Sequence, residues 1–375
     1  MAYKWNIEEI KKKQKYLLVR LKHCTNLEEK EKIELSLVSI LSILSNSGSL
    51  KYTKFYNFMD KLTKDKFSLS RQSKYIEMEK RLLFENDSYI DEPYLKFLLA
   101  LANNIANDVQ EPQVLQEINI NDAQLIEVSK KFYEILGVPQ IQQLAQRVLL
   151  EPSSINITKS NRSGFEDFGG ITYNDYIFNK SYVNVQKTNT IFDFQVLNHE
   201  VMHGIDFYTH SKIPSKNYFG FHEIPTYTID YLFLDFMIDL GFDEQQVEIL
   251  KERKINYLSS LAQLTLIQLK TQLIRNYGYK NSINPTYDML KNALNPKLLK
   301  QLLEIESGII AYGLKMQIDT DREKGLSNLI AIMNNDIPID KKPDFSFAEL
   351  SDTTLLNISM EYKNFQSLNK GTIKK

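Results

Sequence analysis

Cysteine is all but missing from this chain of 375 residues. With Cys24 as its one thiol, an intramolecular disulfide framework and any cysteine-rich zinc module are excluded, and a reducing, cytoplasmic setting is the expectation. Glycine and proline are scarce as well. Together they make up about 6% of the residues, half the usual share of about 12%. So few turn formers argue against an all-β sandwich or barrel and in favour of long helices. No single sign of charge dominates: 46 basic and 47 acidic side chains leave a net charge of −1, which gives no reason to expect nucleic acid as a partner. The Lys11-Lys12-Lys13 run reads as a solvated helix face. No stretch of about 18 uncharged apolar residues occurs, so no membrane span is expected. The opening MAYKWNIEEIKKKQKYLLVR is charged throughout and does not read as a signal peptide. Aromatic residues, by contrast, are plentiful. The 21 Tyr and 20 Phe allow enough burial to offset the entropy of ordering and exclude intrinsic disorder.

The first 150 or so residues carry helical signals. Asn26 with Glu29 forms a capping-box start, Ser45 to Gly48 a stop, and Ile33, Leu37, Ile40 and Leu44 recur between them at helical spacing. Asn121 and Gln124 open another helix with the stripe Leu125, Val128, Phe132 and Ile135, ended by Gly137 and Pro139. The polar stretch from Asp108 to Glu117 reads as a loop. From Pro152 the texture changes. Ser, Asn, Thr and Gly concentrate up to residue 190, and β-formers alternate in ITYNDYIF and SYVNVQ, which predicts a small sheet with turns at Gly164 and Gly169-Gly170. Helical texture returns at Thr190 and runs nearly to the end, with a loop at Lys341-Lys342-Pro343 and a frayed tail. The expected fold is mainly α with a small β-sheet, divided into an N-terminal helical region, 1–155, and a second region, 156–375, that carries the chemistry.

That chemistry centres on His199-Glu200-Val201-Met202-His203, an H-E-x-x-H pattern. Thr190 can cap its helix, with Asp193 in the first turn and Phe194, Leu197, Val201, Ile205 and Tyr208 as the apolar face. Residues four apart lie one above the other on a helix, so both imidazoles can reach one metal ion. Glu200 sits about 100° around, where it can reach a water on the metal rather than the metal itself. With 5 His in the chain, the pattern arises by accident in roughly one such chain in two hundred. Four of the five (His199, His203, His210 and His222) also crowd into one short stretch, while His23 reads as a core residue.

A catalytic zinc site needs a third protein ligand. The metzincin pattern would place Gly at position 206 and His at 209, but those residues are Asp206 and Thr209, so that class is excluded. Asp206 can bind metal, although a ligand so close along the same helix aims poorly; it is the expected hydrogen-bond partner of an imidazole, with a plain surface carboxylate as the other option. Glu223 lies twenty residues beyond His203, at the start of a second helix that runs from about Ile224 to Gly241 with Pro225 in its first turn. Glu223, Thr226, Tyr227 and Asp230 share one face of it. A carboxylate there, aimed at two histidines on the preceding helix, is the glutamate-type zincin arrangement.

The segment from Glu223 to Asp230, EIPTYTID, resembles the E-x-P-S-Q-x-x-E segment of the thimet oligopeptidase / oligoendopeptidase F family of zinc metallopeptidases. SYVNVQKTNTIFDFQVLNHE resembles that family's strand, loop and helix entry into the metal motif, and Ser163-Gly164-Phe165 its Gly-aromatic turn. The resemblance covers residues 160 to 240 and, more faintly, 300 to 330. It implies a zincin-like helical fold with the small sheet next to the active-site helix. One Zn²⁺ per chain would be held by His199, His203 and Glu223, with Asp230 as an acidic supporting residue. It also implies that peptide lies along the strand containing Tyr182 and Asn184. There are departures. Met202 stands where the family has Gly between the histidines, Asp206 replaces a later His, the chain is short, and no histidine follows His222 to stabilise an oxyanion. Tyr312, in a segment that resembles the family's Tyr-rich helix, is the candidate donor, with Tyr277, Tyr279 and Tyr287 as others. The expected function is zinc-dependent endopeptidase hydrolysis of short peptides by a zinc-bound water, with Glu200 as general base. The alternative is a catalytically degenerate helical protein that binds zinc or peptide without cleaving it. The expected partner is a peptide substrate, with no nucleic acid and no membrane; oligomeric state is left open.

Overall fold

Helix-end chemistry in the sequence is realised where it is local. The computed structural model describes residues 3–51, 54, 90–107, 113–159, 169–209, 221–335 and 343–372. Helices α1 (Ile7–His23) and α2 (Leu27–Asn46) begin at Asn6 and Asn26, whose side chains accept from Glu9 and Glu29 main-chain N–H groups. Helix α3 spans Glu92–Ile105. Helix α4 (Asp122–Leu136) carries the full Asn121–Gln124 capping box and ends at Gly137, whose φ of 75° is left-handed backbone that glycine adopts without strain. Helix α5 (Pro139–Leu150) follows at once. Ser163-Gly164-Phe165, His210 and Lys341-Lys342 lie outside the described residues.

The chain divides into two units, Met1–Ile76 with Gln116–Pro214, and Glu77–Leu115 with Ser215–Lys375. The first holds the sheet. Strands β1 (Ile155–Lys159), β2 (Gly170–Asp175) and β3 (Lys180–Lys187) lie in the order β1-β3-β2. Strand β3 is central, parallel to β1 and antiparallel to β2, with Tyr182 opposite Tyr173 and Asn184 opposite both Ile171 and Asn156. Alternation then assigns the faces. Tyr173 and Tyr182 join Trp5, Ile10, Leu17, Ile33, Leu37 and Ile40 in a core built with α1 and α2. Lys13 Nζ donates to the Tyr182 hydroxyl at 2.8 Å, and Ser39 Oγ to the Asn174 carbonyl at 2.8 Å. The opposite face, with Gly170, Thr172 and Val183, packs on helix α6 (Phe192–Thr209), which α4 and α5 also cover.

The second unit is built around α7 (Glu223–Asp239), which is buried almost all round from Ile224 to Leu234. It packs on α10 (Pro296–Thr320), and both contact the long α8 (Glu244–Tyr277). Helices α9 (Tyr287–Ala293), α11 (Arg322–Asn334), a 3₁₀ turn (Ser346–Ala348) and α12 (Asp352–Thr372) complete it, and α3 packs against α8, α10 and α12. Among the described residues, no helix is long and apolar enough to cross a membrane.

Candidate metal centre

Entry into α6 is fixed by polar contacts that hold its first turn. The Asp193 carboxylate reaches back to accept from Thr188 N (2.7 Å), Thr188 Oγ1 (2.8 Å) and Asn189 N (2.8 Å), while Thr190 Oγ1 accepts from Phe192 N. The helix therefore starts two residues after Thr190, with that threonine still serving its free N–H groups. Burial raises the Asp193 carboxyl above its ordinary value, and the neutral donors only partly offset this.

Two turns on, His199 and His203 stack along the helix with ring centroids 4.9 Å apart and planes at 84°. Both are partly exposed, whereas Val201 and Met202 are fully buried. Met202, where the resemblance would put glycine, is a core residue. Glu200 is 6% exposed. Thr172 Oγ1 on β2 lies 2.7 Å from Glu200 Oε2 and 2.8 Å from the Glu200 carbonyl. The Tyr173 phenol is pushed up to about 12, chiefly by burial and then by the Glu200 charge.

Glu223 opens α7. Thr226 Oγ1 lies 3.0 Å from its Oε2, and His222 Nε2 lies 3.1 Å from its Oε1. Two imidazole nitrogens from α6 and one carboxylate oxygen from Glu223 are donors that suit a tetrahedral zinc ion in number and type.

The other predicted residues are placed differently. Asp206 lies one turn past His203, half-buried on α6. Asp230 is 3% exposed, and its Oδ2 accepts from Lys254 Nζ of α8 at 2.6 Å. The ammonium of Lys254 also sits 3.5 Å from the Tyr227 ring centroid. Tyr227 and Tyr257 both donate to Glu304 Oε1, at 3.1 and 2.5 Å, and burial raises both phenols. Tyr312 packs edge-on against Tyr231 and Tyr362, with its phenol raised mainly by burial. The expectation for Tyr182 and Asn184 needs correcting. They lie on the central strand, whose two edges are taken by β1 and β2, so it offers substrate no free main-chain ladder. The Tyr182 ring faces the α1–α2 core, on the side of the sheet away from α6.

Thr172 and Lys254 carry no signal of their roles in the sequence. Thr172 shows in the sequence only as one alternating β residue, and Lys254 as one charge in a Lys-Glu-Arg-Lys run. Their partners, 28 and 24 residues away, become visible only on folding.

No family model matches the sequence, and no curated protein does so either. Solved structures do match. A provisionally assigned peptidase from Chlamydophila abortus superposes with a TM-score of 0.50 at 14% identity, over 95% of this chain and 62% of that one. A provisionally assigned oligoendopeptidase F from Bacillus anthracis str. Ames gives 0.49 at 14%, over 91% and 64%. PZ peptidase A with an inhibitor gives 0.46 at 14%, over 91% and 66%. The chain thus spans less than two thirds of the length of the structures it matches. The likeness is one of fold. The protein has a mainly α architecture with a small three-stranded sheet.

Proposed function

We propose that the protein is a zinc metallopeptidase that cleaves short peptides in a reducing, cytoplasmic setting. The observation that carries this reading is the pair of partly exposed imidazoles one turn apart on α6, with the buried Glu200 next to His199 in the same turn. His199, His203 and Glu223 would hold one zinc ion, a reading supported by the chemistry of the donor set, two imidazoles and one carboxylate. When bound, zinc would supply Lewis acidity, polarising the scissile carbonyl and making water a stronger acid. Glu200 would take a proton from the attacking water on its carboxylate and pass it to the departing amine. Thr226 holds one oxygen of Glu223 and so limits its rotation. Tyr312 remains the proposed donor to the oxyanion, Asp230 the support of α7 through Lys254, and Asp206 a partner of the histidine pair.

A peptide-mixture digest read by mass spectrometry, with and without a chelator, tests the reading. Zinc-dependent fragments are expected from the wild type, and Glu200→Gln should lower turnover by a factor of hundreds or more while keeping the metal. A wild-type protein that binds zinc and produces no fragments would instead be the degenerate binder.

A further inference from the structure

The contact between β2 and α6 does more than pack the sheet. A buried carboxylate in the middle of a helix can adopt several rotamers, and a general base must keep one of them. Two features of β2 restrict Glu200. Thr172 places one hydroxyl within hydrogen-bond distance of both Glu200 Oε2 (2.7 Å) and the carbonyl of the same residue (2.8 Å), tying the side-chain tip to the helix backbone beneath it. Two residues earlier, on the same face of the strand, Gly170 leaves the space that the side chain fills. A Cβ at position 170 would lie 2.5 Å from Glu200 Cγ, 2.9 Å from Glu200 Oε1 and 2.8 Å from Val196 Cγ1. The sequence reads Gly170 as a turn residue; in the structure it is the first residue of β2, and its bare backbone serves close approach.

We infer that Thr172 and Gly170 are positioning residues for Glu200. Thr172 holds Oε2 through a hydrogen bond, and Gly170 provides the empty face against which Oε1 rests. This rests on the proposed role of Glu200 as the base. Neither residue belongs to the metal-ligand set, so both can be changed without removing a donor. The backbone at Gly170 does not have a positive φ, so alanine is allowed there apart from the collision with the side chains above it.

The test uses the full chain in four forms: wild type, Thr172→Val, Thr172→Ser and Gly170→Ala. Valine keeps the branched shape and strand preference of threonine and removes only the hydroxyl. For Thr172→Val and Gly170→Ala, zinc content should equal that of the wild type. Their kcat for peptide cleavage should fall about 10- to 100-fold with KM changed less than about threefold, the loss expected for one hydrogen bond to a charged group that acts in the transition state. Thr172→Ser should stay within about threefold of wild type. A Thr172→Val protein with wild-type kcat overturns the inference. So does equal loss in valine and serine, which would mark a packing role. Crystal structures of wild type and Thr172→Val give a readout without turnover. The Glu200 carboxylate should leave its place in the variant, and one that stays put sinks the inference. Should the wild type itself cleave nothing, the proposed function fails while the structures still decide whether Thr172 sets the position of Glu200.

Discussion

Helices α6 and α7 both carry aspartates besides the residues proposed to bind metal, and two of these, Asp193 and Asp235, are treated in opposite ways. Asp193 at the head of α6 is 1% exposed and is served by main-chain N–H groups and a threonine hydroxyl. Asp235 on α7 has a side chain 42% exposed and is flanked by two ammonium groups, Lys315 at 2.8 Å and Lys251 at 3.1 Å. Burial is the largest influence on both, pushing each carboxyl upward. At Asp193 the neutral donors do not overcome it and the carboxyl stays raised; at Asp235 the two lysines do, and it ends lowered. Hydrogen bonds from neutral groups aim a carboxylate, whereas cations also settle its charge. Deeper along α7, Asp230 combines near-complete burial with a lysine, the more expensive version of the second solution.

The comparison can be broken most forcefully at that pair. Lys254 and Asp230 have side chains only 9% and 4% exposed. Lys254→Met should destabilise the protein by about 3–5 kcal/mol in urea unfolding, because it takes the ammonium away from a buried carboxylate, and adding Asp230→Asn should recover much of the loss. A Lys254→Met protein as stable as the wild type would show that the ion pair does not govern α7. Next in size is the α6 entrance. Asp193→Ala removes the acceptor for two main-chain N–H groups and a hydroxyl and should cost about 2–3 kcal/mol by the same measurement; a loss under 0.5 kcal/mol would mean that water serves those donors equally well.

The smallest effects carry opposite signs with pH. A carboxyl raised on folding stabilises the fold fully below its unfolded value, near 3.8 for Asp193, and that contribution disappears as pH rises through the shifted folded value. A lowered carboxyl such as Asp235 stabilises above 3.8 and loses that contribution as pH falls through its folded value. The margin of wild type over Asp193→Asn should therefore shrink from pH 3 to pH 7, while the margin over Asp235→Asn should grow to less than about 1 kcal/mol, the side chain being well solvated. Stability curves of the two variants with the same pH trend would contradict the account.

What could be read without coordinates follows the range of the physics. The caps at Asn26 and Asn121, the stop at Gly137, the start of α7 with Pro225 in its first turn and the helical spacing of His199 and His203 all depend on residues within one or two turns of each other. Strand order does not. SYVNVQ alternates convincingly, but nothing in it says that β3 lies between two other strands, and the pairing denies Tyr182 and Asn184 the main-chain role that the resemblance implies. Thr172 above Glu200 and Lys254 beside Asp230 are likewise non-local, and no spacing rule points to them. Tyr312 is one of 21 tyrosines, and its ring contacts with Tyr231 and Tyr362 join three separate helices.

Metal analysis of the intact protein after gentle purification is the most direct measurement. About one zinc per chain is expected in the wild type, with the zinc lost from a His199→Ala/His203→Ala double variant and weakened in Glu223→Gln. A folded wild-type protein that takes up no zinc, or a double variant that keeps it, would contradict the assignment of these three side chains as a metal site.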